Sequence, residues 1–317
     1  MSDTLSIALN PTIDISSDTV HIHPTRKIRT SNQRWHPGGG GVNVARVIAM
    51  LSGHAGDTGS RPQLMMLSGG QTGTLLEGML SELPLDLHPI QIAEQTRIAF
   101  MVYEQDSGFE YRFVPEGPEA SEAELVEAMR VVENFRGDYV IASGSLPRNA
   151  PVDTYARMAD IARGNGARFV LDTSGPALTA TLDNAPVFLF KPSLGELETL
   201  AGHSLDEAGV IETARDLVKV GKSEYVTVTL GREGALLISR DEVLRVPARH
   251  VVVKSAVGAG DSFVGALVWF LSKGHSIEEA FRFGVAAGAA AARTPGTELC
   301  HAGDVFEIYN SPEDDGR

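Results

Sequence analysis

Short runs of consecutive apolar residues alternate along the chain with longer segments whose apolar positions recur every three to four residues. The runs predict strands over 5–9, 63–67, 139–142, 168–171, 187–190 and 225–229. The periodic segments predict helices over 43–51, 73–81, 121–135, 152–165, 195–201, 205–220, 260–272 and 277–293. Several strand candidates are apolar at successive positions, as expected where helices cover both faces of a parallel sheet. The alternation predicts an α/β fold of the doubly wound kind, a mostly parallel sheet flanked by helices.

Two stretches break the rhythm. Residues 14–36 and 96–114 have no helical period, and 96–103 and 110–114 flank the turn Gln105-Asp106-Ser107-Gly108. They predict strands or hairpins that pair into a small separate β layer. Residues 52–62, rich in Gly, Ser and Asp, predict a surface loop, and 311–317 a solvated tail. No internal repeat and no dividing linker is evident, so residues 1–317 are expected to form one domain.

Composition narrows the function. The 317 residues carry 27 Lys and Arg against 41 Asp and Glu, a formal charge of −14, which argues against a nucleic-acid binder. The single cysteine, Cys300, forbids an intrachain disulfide and fits a cytoplasmic protein. The N-terminus has no signal pattern, and the longest apolar stretch, 284–292, is half the length of a membrane span. No membrane partner is expected.

Residues 258–261 read Gly-Ala-Gly-Asp. The β-branched run Arg249-His250-Val251-Val252-Val253 precedes them and predicts a strand; an apolar helix follows. Glycines let the backbone turn sharply and approach a ligand, and the new helix points free N–H groups at any anion before it. An acid at 261 beside that anion hole suits transfer of a phosphoryl group to a hydroxyl that loses its proton. The alternative is that Asp261 merely caps the helix. Gly38-Gly39-Gly40-Gly41 also opens an apolar helix and offers bare backbone to a small polar ligand. Asn43 in its first turn and Asp14 after the first strand add an amide and a carboxylate, a set that suits a polyol. A capping role for Asp14 is equally compatible with the sequence.

Other motifs are absent or misleading. Gly221-Lys222-Ser223 imitates the end of a Walker A loop, but position 216 is Asp216 and the tripeptide follows a helix instead of opening one. No Gly-x-Gly-x-x-Gly follows the first strand, which argues against a dinucleotide-binding oxidoreductase. The histidines show no metal-ligand spacing. Ser143-Gly144-Ser145-Leu146-Pro147 is not a nucleophile elbow and is expected to be a strand-end loop lending hydroxyls or amides to a site.

Six stretches in order resemble the PfkB-type carbohydrate kinases of the ribokinase superfamily, over about residues 5 to 310. They are Asn10-Pro11 with Asp14, Pro37 to Ala45, Ser143 to Pro147, Lys191-Pro192-Ser193, Thr229 to Gly234, and Val257 to Ser262. Thr96-Arg97 with Glu110 to Val114, and Arg282 to Gly288 with Gly296 to Cys300, resemble the bacterial PfkB-type 6-phosphofructokinases within that family. The resemblance implies a ribokinase-like fold whose two irregular stretches form a lid. That lid often clasps a second subunit's lid in such kinases. Its residues, including Ile22, Ile28, Phe100, Val102, Tyr103 and Phe113, cannot face water alone, so a homodimer is expected.

The resemblance also implies residue roles. Asp261 takes the hydroxyl proton, and Gly258, Ala259 and Gly260 present the anion hole. Asp14, Gly39, Gly40 and Asn43 hold the sugar, and Arg97 with Lys27 meets its phosphate. Lys191, Ser193 and Glu196 lie by the phosphates of ATP and their magnesium, which Glu196 holds through water. Thr229, Gly231 and Gly234 line the nucleotide pocket. Ser255, Val257 and Gly296 match a monovalent-cation loop for potassium. The chain departs from the family where Ser193 replaces an asparagine, where Gly195 replaces a common basic residue, and where Arg148-Asn149 replaces Pro-Gly. The expected activity is ATP-dependent phosphorylation of fructose 6-phosphate to the 1,6-bisphosphate. Tagatose-6-phosphate kinase and 1-phosphofructokinase share every motif, and a non-catalytic sugar or nucleotide sensor is the alternative of another class.

Overall fold

The computed structural model describes residues 3–57 and 61–311; residues 58–60 of the expected loop and 312–317 of the expected tail lie outside them. In chain order the first elements are β1 (Thr4–Ala8), β2 (Thr12–Thr19), β3 (Ser31–Gly38), α1 (Gly40–His54), β4 (Gln63–Ser68), α2 (Gly70–Ser81), β5 (Asp86–Gln91), β6 (Arg97–Glu104), β7 (Phe109–Phe113), α3 (Glu122–Asn134) and β8 (Tyr139–Ser143). There follow α4 (Thr154–Gly164), β9 (Arg168–Asp172), α5 (Gly175–Asn184), β10 (Val187–Phe190), α6 (Leu194–Ala201), α7 (Glu207–Lys219) and β11 (Ser223–Thr229). The chain ends with β12 (Ala235–Ile238), β13 (Val243–Val246), α8 (Ala259–Ser272), α9 (Ile277–Ala292) and α10 (Ala302–Asn310).

Nine strands form one sheet in the order β13-β12-β11-β10-β9-β8-β1-β4-β5. All its pairings are parallel except those of β12 with β11 and β13. Strand faces alternate as a pleated ribbon requires. Val140 and Ala142 of β8 join the core under α3, α4 and α5, whereas Tyr139 and Ile141 pack under α1, α8 and α9. The strand order reverses between β1 and β8, and ligands of open α/β sheets bind in the crevice at such a point. Serine–glutamate capping boxes start α3, α6 and α9, where Ser and Glu stand three residues apart.

The irregular stretches form the expected second layer, a four-stranded sheet in the order β3-β2-β6-β7. Its registers set Trp35, Ile15, Phe100 and Phe113 in one row across the sheet. Ile15 is buried, but Trp35, Phe100 and Phe113 are 43%, 46% and 59% exposed. Among the described residues no helix is long and apolar enough to cross a membrane.

The structure corrects one expected element. Residues 249–253 form no strand: the large sheet ends at β13, and Val252 is 81% exposed. β-branching favours an extended backbone but provides no partner, and this run pairs with neither sheet although β13 is an open edge. Instead the Lys254 N–H donates to Ala292 O at the end of α9. β5, α5, β12, β13 and α10 go beyond the sequence reading.

Candidate active site

The chemistry-bearing residues gather at the β1/β8 crevice. Gly258 caps α8 in the left-handed region (φ 75°), which glycine adopts without strain. Asp261 is therefore the third residue of the helix and not its cap. Its Oδ2 accepts a hydrogen bond from Asn43 Nδ2 at 2.8 Å. Burial pushes the Asp261 carboxyl up to about 6, and Asp172 adds to the rise; the Asn43 hydrogen bond and Lys191 oppose it, while Asp14 reinforces it. At neutral pH the group is mainly ionised yet basic enough to take a proton.

α1 brings Asn43 to this place because its glycines permit contact at atomic range. A Cβ on Gly41 would lie 2.1 Å from Ile7 O of β1, and one on Gly40 would lie 2.3 Å from Ser143 Oγ at the end of β8. Gly38 is pressed in the same way by Asp14 Oδ2, at 2.1 Å. Only Gly39 needs its freedom for a positive φ, 94° at the helix cap. The run is thus as much a packing device as a ligand surface.

Asp14 lies on β2, whose neighbour β6 begins with Arg97. Burial raises the Asp14 carboxyl, and Arg97, Arg112 and Arg46 counter that. Arg97 is more occupied than expected: Nη1 donates to Pro115 O and Nη2 to Asn10 O, both at 2.8 Å, and Nε has no partner. Arg112 of β7, which sequence reasoning quoted without a role, is an exposed cation facing the same carboxylate. Lys27 lies exposed in the connection between β2 and β3 and joins none of these contacts.

On the far side of Asp261, Lys191 is 5% exposed and its Nζ lies 3.1 Å from Asp172 Oδ1. Burial alone would lower the Lys191 ammonium; Asp172, Glu196 and Asp261 outweigh it and raise it. A Cβ on Gly260 would lie 3.5 Å from Lys191 Nζ, so the glycine leaves that cation beside the first turn of α8. Helix N–H groups and a buried ammonium make an anion site. Asp172 was missed because the strand reading stopped at 171; strand C-termini at a crevice were the available signal.

The expected nucleotide residues divide. Ser193 caps α6 and accepts from the Glu196 N–H, while Glu196 Oε2 accepts from the Ser193 N–H at 2.7 Å. The hydroxyl that replaces the family's amide is thus committed to the helix cap. The Thr229 N–H donates to Pro192 O, which sets the end of β11 beside this cap. Gly231 is exposed at φ 60°. Gly234 is buried, and a Cβ there would lie 2.1 Å from Val246 O, so its packing against β13 accounts for it. Ser255 is buried; its Oγ donates to Glu110 Oε2 at 3.3 Å and accepts from the Val257 N–H. Gly296 (φ 65°) packs near Ser16 and Met101, both on the small sheet, so Ser255 and Gly296 both touch that layer. Among the described residues no cluster of three or more His, Cys, Asp or Glu side chains could hold a metal ion.

Similarity to known proteins converges on this arrangement. The signature of the pfkB family carbohydrate kinases matches residues 4–302. The chain is 37% identical over 319 aligned positions to the ATP-dependent 6-phosphofructokinase isozyme 2 of Mycobacterium tuberculosis, covering 99% of this chain and 91% of that protein. It is 32% identical to the 1-phosphofructokinase of Bacillus subtilis, covering 90% and 91%. Phosphofructokinase-2 from Escherichia coli superposes with a TM-score of 0.90 in its potassium complex (35% identity) and 0.89 in its fructose-6-phosphate complex (33%), covering 98% of both chains. A signature that spans almost the whole described fold, with relatives above 30% identity over nearly their full length, is decisive: the chain belongs to the pfkB family of carbohydrate kinases.

Proposed function

We propose that the protein phosphorylates a ketohexose phosphate at the expense of ATP, taking fructose 6-phosphate to fructose 1,6-bisphosphate. The observation that carries this reading is the Asp261 carboxylate, hydrogen-bonded to Asn43 and standing between the carboxylate–arginine cluster of the small sheet and the Lys191 anion site. The sugar's phosphate lies by Arg97 and Arg112, and its hydroxyls by Asp14, Asn43 and the backbone of Gly39 and Gly40. Its free primary hydroxyl reaches Asp261 at the far end.

Asp261 accepts the hydroxyl proton as the sugar oxygen bonds to the γ-phosphorus. The bond from that phosphorus to the bridging oxygen breaks, and ADP leaves with the electron pair. The N–H groups of Gly258, Ala259 and Gly260, with Lys191, stabilise the charge on the transferring group. Glu196, with one carboxylate oxygen on the helix cap, is the hard-oxygen donor that would hold a nucleotide-bound magnesium through water, and the ion would supply further charge neutralisation. Potassium belongs by the loop of Ser255, Val257 and Gly296, where backbone carbonyls are the fitting donor type. Thr229, with Gly231 and Gly234 behind it, borders the nucleotide.

In this reading residues 1–317 act as one kinase domain with the small sheet as its lid. The row of Trp35, Phe100 and Phe113 seats the lid of a second copy, with Lys27 on its exposed loop, in a cytoplasmic homodimer. The similarity to a 1-phosphofructokinase keeps fructose 1-phosphate as a competing substrate, and tagatose 6-phosphate competes because it differs from fructose 6-phosphate at one hydroxyl. ADP release measured over a panel of these sugars, free fructose and ribose tests the reading. Fructose 6-phosphate should exceed the neutral sugars in kcat/KM by about a thousandfold, because a neutral sugar forgoes the charge-assisted contacts of a phosphate with Arg97 and Arg112. A preference for a neutral sugar would refute it, and absence of turnover with every sugar would favour a sensor.

A further inference from the structure

The geometry points to Arg46 as a positioning residue: it fixes the orientation of the Asn43 side chain and, through it, the hydrogen bond to Asp261. The inference rests on Asp261 as the base. Arg46 follows Asn43 by one helical turn on α1, close enough for side chains to meet. Its Nη1 donates to Asn43 Oδ1 at 3.2 Å and to Pro37 O at 2.6 Å. Asn43 Nδ2 donates onward to Asp261 Oδ2 at 2.8 Å.

An amide side chain has a donor end and an acceptor end, and either could face the base. A guanidinium only donates, so it can engage only the oxygen of Asn43. That contact turns the nitrogen toward Asp261, where an N–H stabilises the ionised carboxylate. Without it the amide is free to flip and set its oxygen against the base. The Pro37 O contact anchors the guanidinium to the end of β3, so the relay is referenced to a fixed backbone atom. Burial lowers Arg46 to about 10, with Asp14, Asp261 and Glu298 opposing, so it stays charged throughout the working pH range. The other charged groups facing Asp261 are Asp172 at the end of β9, Lys191 after β10 and Asp14 on β2. None of them contacts Asn43 in place of Arg46.

The test is the acid limb of kcat against pH, measured for wild type, Arg46→Met, Asn43→Ala and the double variant. Removing a hydrogen bond to the charged form raises a carboxyl, so Arg46→Met should move the limb to higher pH by about half a unit to one unit. In the Asn43→Ala background the same substitution should move it by clearly less, because only the direct charge interaction between Arg46 and Asp261 remains. An unmoved limb in Arg46→Met, or an equal shift in both backgrounds, would overturn the relay; the second result would mean that the charge acts directly on Asp261. Arg46→Gln drops the charge and offers an acceptor as well as a donor, so it does not dictate which end of the Asn43 amide faces it. It should still shift the limb, and an unmoved limb there contradicts the proposal even if Arg46→Met does not fold. Wild-type turnover in Asp261→Asn would instead remove the base itself, a failure readable separately from the relay.

Discussion

Two helices in this molecule begin with glycines at the same crevice, and their glycines serve different ends. At α1 the space is already filled: protein atoms stand 2.1–2.3 Å from where a Cβ on Gly38, Gly40 or Gly41 would go. At α8, Gly260 faces only the tip of Lys191, at 3.5 Å. The first helix uses glycine to seat a side chain, Asn43, against the sheet. The second uses it to leave a charged space open in front of the helix. Composition is similar; what differs is whether protein atoms fill the gap or leave it open. The acid shows the same contrast, since Asp261 could cap a helix by its sequence and instead receives the Asn43 amide while Gly258 does the capping.

The largest effect that would break this contrast is at Asp261. Asp261→Asn keeps size and polarity but cannot accept the proton, so kcat should fall by about 10²–10⁴ with little change in KM. Near-normal turnover in a steady-state assay would make Asp261 structural and equate the two helix starts.

The glycines come next. Gly41→Ala forces a Cβ into Ile7 O and should cost about 3 kcal/mol, in the upper range of overpacking. Gly260→Ala should leave urea stability within about 0.5 kcal/mol, because its Cβ meets only a flexible side-chain end, yet should weaken ATP use by crowding Lys191. Equal losses of stability would erase the distinction between packed and open glycines.

The arginines of the small sheet sharpen the picture at a smaller scale. Arg112→Ala should raise KM for the sugar phosphate tenfold to a hundredfold, about 1.4–2.7 kcal/mol, with KM for ATP unmoved. Arg97→Ala should raise that KM and also lower the melting temperature, since its nitrogens tie Asn10 and Pro115 together. Equal melting temperatures for the two variants would contradict the difference drawn between them.

The smallest effect is on stability at Asp261. An ordinary aspartate titrates near 3.8 and this one at about 6, so the folded state binds the proton more tightly. The contribution to stability is present below 3.8, declines as pH rises toward 6 and is absent above it. Asp261→Asn should therefore melt slightly higher than wild type at pH 7.5, and a lower melting temperature would contradict the sign.

Much of this was legible in the sequence because the large sheet is covered on both faces. Such strands are continuous apolar runs and their helices carry clear periods, so most strands and helices fell where expected. The antiparallel strands β12 and β13 were not read, although β10, equally short, was; in β13 the exposed Arg245 interrupts the apolar run. Residues 249–253 show the reverse failure, for local β-preference cannot reveal whether a strand partner lies alongside. At the site, motif order named Asp261, Asn43 and Lys191. It did not name Asp172, Arg46 or Arg112, whose roles depend on which long-range neighbour each meets. Gly234 was named for a ligand, but a backbone oxygen of β13 stands where its side chain would be.

The central claim is that Asp261 is a working base set by its surroundings, and the pH dependence of kcat tests it most directly. Wild type should lose activity on acidification through an apparent pKa of about 6, tenfold per unit below it, and the residual activity of Asp261→Asn should lack that limb. A wild-type rate that stays flat from pH 7 to pH 4.5, or an unchanged limb in Asp261→Asn, would contradict the account.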